Sequence, residues 1–323
     1  KIKKNRFYFL EFYWISMNIS KVLVTGANGF VGKHLINYLS KQLISIISLP
    51  ETIDIRDKEK INNFCINNSF DAVVHLAAQS FVPRSIINPK ETYKINFTGT
   101  LNIIEALKSS KFNGVFLYIG SSDVYGIVSE SLLPIEEDLT HSPINPYAES
   151  KSAAELLCKK WSVSENKMRI IMTRSFNHIG PMQDPRFVIS RFCKQVALIK
   201  CGLQEPNVRV GNLNVTRDFT DVRDVVRAYL ILLKKGSNGS VYNICSGQEI
   251  SLKNILPMLR QIANIDFSIE VCTDLYRDAE QVRVFGSFNK IKKDLGWFPK
   301  ILFKRSLEDV YNYWVDYLKK DNK

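Results

Sequence analysis

A chain of 323 residues is long enough for one two-part enzyme, and a hydrophobic share of 45% supplies a core and excludes a disordered chain. Lys and Arg number 44 against 32 Asp and Glu, a net charge of +12, but outside the two termini they are scattered, which argues against nucleic acid and for anionic small-molecule ligands. Six cysteines (Cys65, Cys158, Cys193, Cys201, Cys245, Cys272) without a CxxC pair and four separated histidines (His34, His75, His141, His178) give neither a disulfide framework nor a metal-ligand spacing, so the expectation is a cytoplasmic protein with reduced thiols and no metal.

Residues 1–16 are basic and then aromatic, with Glu11 breaking the apolar stretch, which fails as a signal peptide. Met17 reads as the natural start and 1–16 as an extension, and no later run reaches the ~20 apolar residues of a membrane span. From there the pattern alternates. Lys21–Thr25 predicts a buried strand, Phe30–Ser40 a helix, Ile44–Leu49 a strand, Asp57–Asn67 a helix and Ala72–Leu76 a strand. A long helix near Asn96–Ser109, strand Val115–Ile119, helix Pro146–Ser162 and strand Arg169–Thr173 follow. Short apolar strands separated by helices predict an α/β fold with a doubly wound parallel sheet. After Arg174 the alternation loosens through Asn214, Val241–Cys245 returns as a strand, and a helix around Ser306–Leu318 closes the chain. Residues 17–176 and 215–246 are therefore assigned to a dinucleotide-binding domain, and 177–214 and 247–323 to a smaller, discontinuous lobe.

Thr25-Gly26-Ala27-Asn28-Gly29-Phe30-Val31-Gly32 joins the first strand to the first helix. Gly26 suits a tight turn, Gly29 the approach of a pyrophosphate, and Gly32 close packing of helix on strand. Backbone N–H groups at the helix start then hold phosphate. The acidic residue that would close the second strand and hold an adenosine ribose is not evident at Ser48-Leu49-Pro50, whereas Lys33 stands where it meets a 2′-phosphate. That favours NADPH, with NADH possible.

Asn145-Pro146 caps a helix on which Tyr147 and Lys151 share a face at i and i+4. A phenol near pKa 10 is a poor proton donor or acceptor at neutrality, and an adjacent ammonium stabilises its ionised form. Ser121-Ser122-Asp123 follows the strand Val115–Ile119, at the edge where open α/β sheets bind ligands, so Ser121 is placed to hydrogen-bond a substrate carbonyl beside the tyrosine.

With His75-Leu-Ala-Ala-Gln79, Asn96-Phe-Thr-Gly-Thr100, Ser122-Asp-Val-Tyr-Gly126 and Arg217-Asp-Phe-Thr-Asp-Val222, these strings resemble the extended short-chain dehydrogenases/reductases of the epimerase/dehydratase family, from Lys21 to about Leu318. The segments 75–83, 116–126, 145–158, 174–181, 241–249 and 279–287 are most similar to the reductases of GDP-6-deoxy-4-keto-mannose that form GDP-rhamnose. The resemblance implies a Rossmann domain, a GDP-linked 4-keto-6-deoxy sugar as substrate, a role in cell-surface polysaccharide synthesis, and a homodimer formed by the helices of Asn96 and Tyr147. It implies Ser121, Tyr147 and Lys151 as the catalytic triad. Cofactor contacts are implied for Gly26, Asn28, Gly29, Phe30, Val31, Gly32, Lys33, Asp54, Ile55, Leu76, Ala77, Ala78, Gln79, Asn96 and Phe176, besides Tyr147 and Lys151. Sugar contacts are implied for Ser122, Asp123, Asn177 and His178, pyrophosphate contacts for Arg217 and Arg283, and a ribose contact for Glu280.

Other activities on the same pattern stay open. A GDP-mannose 4,6-dehydratase needs an extra acid and base, and Asp123 stands one methylene short of the glutamate such enzymes carry there. A 4-epimerase, and a dinucleotide sensor that only binds, complete the alternatives. The product's C4 configuration, rhamnose or 6-deoxy-talose, is not set by the sequence.

Overall fold

The computed structural model describes residues 18–165, 167–276 and 281–321. The expectations for residues 1–16, Met17 and Glu280 lie outside them.

Chain order runs β1 (Lys21–Thr25), α1 (Phe30–Lys41), β2 (Ser45–Ser48), α2 (Lys58–Asn67), β3 (Ala72–His75), α3 (Val82–Ile87), α4 (Pro89–Tyr93), α5 (Gly99–Ser109), β4 (Val115–Ser121), α6 (Pro146–Ser164) and β5 (Arg169–Ser175). Short strands β6 (Asn177–Ile179), β7 (Asn207–Val210), β8 (Thr216–Arg217) and β9 (Phe219–Asp221) follow, with α7 (Val188–Lys200) among them. Helix α8 (Val222–Lys235) then leads to β10 (Val241–Ile244). The sheet is parallel throughout, in the order β10-β5-β4-β3-β1-β2, so all six strands expected from the sequence are present. Its order reverses between β1 and β3, which opens a crevice at their carboxyl ends, where such sheets bind ligands.

Each strand sends alternate side chains to opposite faces. Val22, Val24, Ala72, Val74, Val115 and Leu117 join one core cluster with α1 and α8, while Leu23, Val73, Phe116 and Tyr118 join another with α2, α5 and α6. Burial on both faces explains why the strands read as continuous apolar runs.

A separate cluster holds residues of α7, α9 (Ile255–Ala263) and α11 (Phe303–Asp321), and forms the second lobe. Two features depart from the expected boundary. Val215 and Phe219 pack into this lobe, whereas Ile291 and Trp297, from and just after α10 (Asn289–Leu295), pack into the sheet's core, where the indole donates to Asp224 O at 3.1 Å. Large apolar side chains follow the nearest core, not the order of the chain.

The helix expected from Asn96 starts earlier. Helices α4 and α5 are joined by a π-helical turn, Lys94–Thr98. That widened turn aims the Asn96 amide at the loop after β3, where Oδ1 accepts from Gln79 N at 2.8 Å and Nδ2 donates to Gln79 O at 3.0 Å and to Ser150 Oγ at 2.9 Å.

Candidate active site

The turn after β1 carries Gly26 at φ +68°, where a Cβ would stand 2.8 Å from Ala77 N; a Cβ at Gly32 would stand 2.4 Å from Ala27 O. Only glycine fits either place. The wall facing this loop is braced by a relay of hydrogen bonds. Ala77 N donates to Thr25 Oγ1, Thr25 pairs with His75 Nδ1 at 2.8 Å, His75 Nε2 pairs with Thr100 Oγ1 at 3.0 Å, and Thr100 donates to Asn96 O. Burial holds the His75 pKa down at about 3, so the ring is a neutral strut.

Loop and wall enclose a cavity of about 570 Å³, lined by Gly26, Asn28, Gly29, Asp54, Ile55 and the run Ala77–Gln79. The fit to a dinucleotide rests on this cradle, in which the Gly26 turn lies against the Ala77 backbone too closely for any Cβ, while Gly32 packs on the turn itself and does not line the cavity. Phe30, Val31 and Leu76 pack beside it without lining it: Phe30 stacks on His178, and Val31 and Leu76 lie against the sheet's core. Two expectations change. Lys33 is exposed on α1 and does not line the cavity, and Phe176 is only 2% exposed, its ring tilted on Tyr125. Asn96 acts on the cavity through the Gln79 backbone.

Among the lining residues the sequence did not point to are four charged ones. Glu51 directly follows Ser48-Leu49-Pro50 and accepts a 2.7 Å bond from Asn28 Nδ2. Arg56, Arg84 and Arg186 complete the set, each hydrogen-bonded to a nearby carboxylate, Asp54, Glu91 and Asp184 respectively. An acidic residue within a few positions of the second strand's end was the one available signal.

Beyond the phosphate loop, Ser121 ends β4 and Tyr147 opens α6, whose first turn is capped by Asn145 Oδ1 accepting from Ala148 N at 2.9 Å. The structure brings Ser121, Tyr147 and Lys151 together, all buried. Burial pushes the Tyr147 phenol well above its usual pKa and the Asp123 carboxylate pushes it further, while a hydrogen bond with Ser121 pulls it down. The expected stabilisation of phenolate by Lys151 is not what the geometry provides. Lys151 Nζ donates to Ile119 O at 2.8 Å, over the Tyr118 ring, and burial lowers its pKa to about 8. Tyr147 is thus held as a neutral phenol, the form that donates a proton.

Around this centre, Ser122 and Asp123 are half-buried, Asn177 is exposed, and His178 pairs through Nδ1 with Phe176 O at 2.9 Å, its pKa lowered by burial. Arg217 and Arg283 stand on neighbouring segments bridged at Thr216–Arg283. Arg217 Nη1 donates to Thr216 O and Gln281 O, and Arg283 is held bidentately by Glu249 and by Glu130 at 2.8 Å. Arg283 therefore sits in an ion-pair clamp between the second lobe and the loop after β4. Among the described residues, no cluster of three or more metal-ligating side chains occurs, and no helix is long and apolar enough to cross a membrane.

A buried proton donor next to the carboxyl end of β4 and a cavity over the glycine turn after β1, both belonging to one parallel sheet, define an oxidoreductase of the short-chain dehydrogenase/reductase class, although Ser121, Tyr147 and Lys151 do not themselves line that cavity. Residues 50–310 match the family described as GDP-mannose 4,6 dehydratase. The chain is 44% identical to the GDP-6-deoxy-D-mannose reductase of Pseudomonas aeruginosa, over 91% of this chain and 97% of that protein. It is 29% identical to the GDP-6-deoxy-D-talose 4-dehydrogenase of Aggregatibacter actinomycetemcomitans, over 90% and 97%. The solved structure of RMD from Pseudomonas aeruginosa complexed with NADPH superposes with a TM-score of 0.87 at 43% identity, covering 92% of this chain and 99% of that one. The chain belongs to the GDP-mannose 4,6-dehydratase family, within the extended short-chain dehydrogenases/reductases.

Proposed function

We propose that this enzyme reduces the C4 keto group of a GDP-linked 4-keto-6-deoxy-mannose with NADPH, giving GDP-rhamnose or its C4 epimer GDP-6-deoxy-talose. The observation that carries the reading is the neutral, buried Tyr147 phenol hydrogen-bonded to Ser121. The similarity to a GDP-6-deoxy-D-mannose reductase and to an NADPH complex supplies the substrate and cofactor class. Bound NADPH supplies the hydride. The chain does the rest: Ser121 steadies the carbonyl oxygen, and Tyr147 gives its phenolic proton to the oxygen as the alcohol forms. In this proposal the Lys151 ammonium, which donates to Ile119 O two residues before Ser121 in β4, holds the nicotinamide ribose.

Asp123 lies close enough to raise the tyrosine's pKa, but its carboxylate is one methylene shorter than the base a dehydratase uses. In this proposal the second lobe carries the GDP sugar, the protein works in the cytoplasm, and it supplies cell-surface polysaccharide synthesis. A homodimer through α5 and α6 is also proposed, supported by Leu156 and Val163, which are 61% and 83% exposed on α6.

Stoichiometry tests the reading. One NADPH should be consumed per 4-keto sugar while GDP-mannose is left untouched, and NMR of the product then reads C4. Conversion of GDP-mannose to the 4-keto sugar with only catalytic cofactor would overturn the proposal in favour of the dehydratase.

A further inference from the structure

The cofactor cavity is lined by three arginines of like design. Asp54 holds Arg56 by Nε and Nη2, Glu91 holds Arg84 by Nε at 3.1 Å and Nη2 at 2.7 Å, and Asp184 holds Arg186 by Nε at 3.0 Å and Nη2 at 2.9 Å. In each, Nη1 has no hydrogen-bond partner among the described residues. A carboxylate on one edge fixes a guanidinium and leaves its other edge for an anion.

Arg186 differs from the other two in its origin. It belongs to the segment between β6 and α7, at the edge of the second lobe, yet it lines a cavity built by the sheet. Its guanidinium lies 4.9 Å above the Phe81 ring, and Phe187 meets that ring edge-on at 6.3 Å. The same segment is tied to the second turn of α1, where His34 Nε2 donates to Pro181 O at 2.8 Å. So the Arg186 segment spans from α1 to Phe81, the two sides of the phosphate loop. The adenine end, marked by Asp54 and Ile55, belongs to Arg56.

We propose that Arg186 is a cofactor-retaining residue, a guanidinium brought by the second lobe to close over the diphosphate of the bound dinucleotide, with Asp184 and Phe81 as its positioning residues. This inference rests on the reading that the enzyme binds NADPH. The diphosphate is common to NADPH and NADH, whereas the 2′-phosphate is not, and that difference makes the claim specific.

Nucleotide binding to the full chain is measured by fluorescence titration with NADPH and NADH, and by competition with adenosine 2′-monophosphate, which lacks a diphosphate. Arg186→Met should weaken NADPH and NADH alike, by roughly tenfold for one half-exposed charge-assisted contact. The adenosine 2′-monophosphate affinity should stay within about twofold, and the ligand-free melting temperature should be unchanged, because the side chain is largely outside the core. Asp184→Asn should give a smaller, equally shared loss. Unchanged affinity for both dinucleotides, or a loss confined to NADPH, would overturn the inference while leaving the proposed reaction standing. A wild-type chain that binds neither dinucleotide would overturn the NADPH reading and this inference with it.

Discussion

Lys151 Nζ donates to Ile119 O at 2.8 Å, and no carboxylate among the described residues pairs with that ammonium. Burial lowers its pKa from 10.5 to about 8. A lysine whose folded pKa lies below its unfolded value binds fewer protons when folded between those two values. Stability therefore rises with pH from about 8 to about 10.5, and the burial penalty is fully present below 8. Since 2.5 pKa units correspond to about 3 kcal/mol, Lys151→Met should raise the ligand-free melting temperature at pH 7 and remove its rise above pH 8. Turnover needs the ammonium, so kcat/KM should fall as pH passes about 8, and Lys151→Arg should move that limb upward. Thermal scans and pH–rate profiles check both parts.

The glycine turn separates folding from binding. At Gly26, with φ +68° and a Cβ position 2.8 Å from Ala77 N, alanine is strained whatever the ligand. Gly26→Ala should cost about 1–3 kcal/mol of stability and abolish cofactor binding. At Gly29 a Cβ meets only Gly26 O, at 3.3 Å. Gly29→Ala should leave the melting temperature nearly unchanged while weakening NADPH, as calorimetry and titration would show.

Local pattern made the sheet legible. Val22 to Val24 and Phe116 to Tyr118 are buried on both faces, so each strand stands out as an apolar run. Gly26 and the Tyr147–Lys151 spacing are local too. Long-range placement was not legible. Phe176 follows β5 immediately, but its side chain turns into the cluster around Tyr125. Arg186 reaches the cofactor cavity from a segment more than 100 residues beyond Phe81, and no spacing along the chain records that approach. The ion pairs of Arg283 with Glu249 and Glu130 were not legible either, because both partners lie far from it in sequence.

Cofactor preference should turn on Glu51 and not on Lys33. The Glu51 carboxylate lines the cavity and is held by Asn28, so its negative charge tempers, without abolishing, the attraction of the cavity for the 2′-phosphate of NADPH. Glu51→Gln should raise the ratio of NADPH to NADH affinity several-fold, whereas Lys33→Ala should leave it within about twofold. Paired titrations of each variant check this. A selective loss of NADPH in Lys33→Ala would restore that lysine as the reader of the phosphate.

Arg174 of β5 and Glu155 of the catalytic helix α6, 6% and 3% exposed, form a buried ion pair between the two elements. The guanidinium also lies 4.8 Å from the Tyr125 ring centre and donates to Glu137 O, and His141 Nε2 stands 3.3 Å from the carboxylate. Removing one partner strands the other charge. Arg174→Met or Glu155→Met alone should cost about 3–5 kcal/mol in denaturant unfolding, and the double replacement should cost clearly less than the sum.

Tyr147 should prove to be the proton donor. Its phenol is buried at the head of α6, raised in pKa by that burial and by Asp123, and restrained only by Ser121. It is therefore fully protonated where the Lys151 limb falls, and the two groups separate in a pH profile. Tyr147→Phe keeps the ring and loses only the hydroxyl. NADPH affinity should be kept while kcat drops on the order of 10²-fold or more, the contribution of a positioned acid. Ser121→Ala removes the bond that draws the phenol's pKa down and the group that steadies the carbonyl oxygen, so it should also lower kcat, by roughly 10²-fold. Asp123→Asn acts in the other direction on the phenol. Without the nearby negative charge the proton leaves more readily, and reduction should continue at a rate within about tenfold of wild type. A Tyr147→Phe enzyme that turned over at near the wild-type rate would sink the assignment, and a solvent-exposed acid elsewhere in the site would have to replace it.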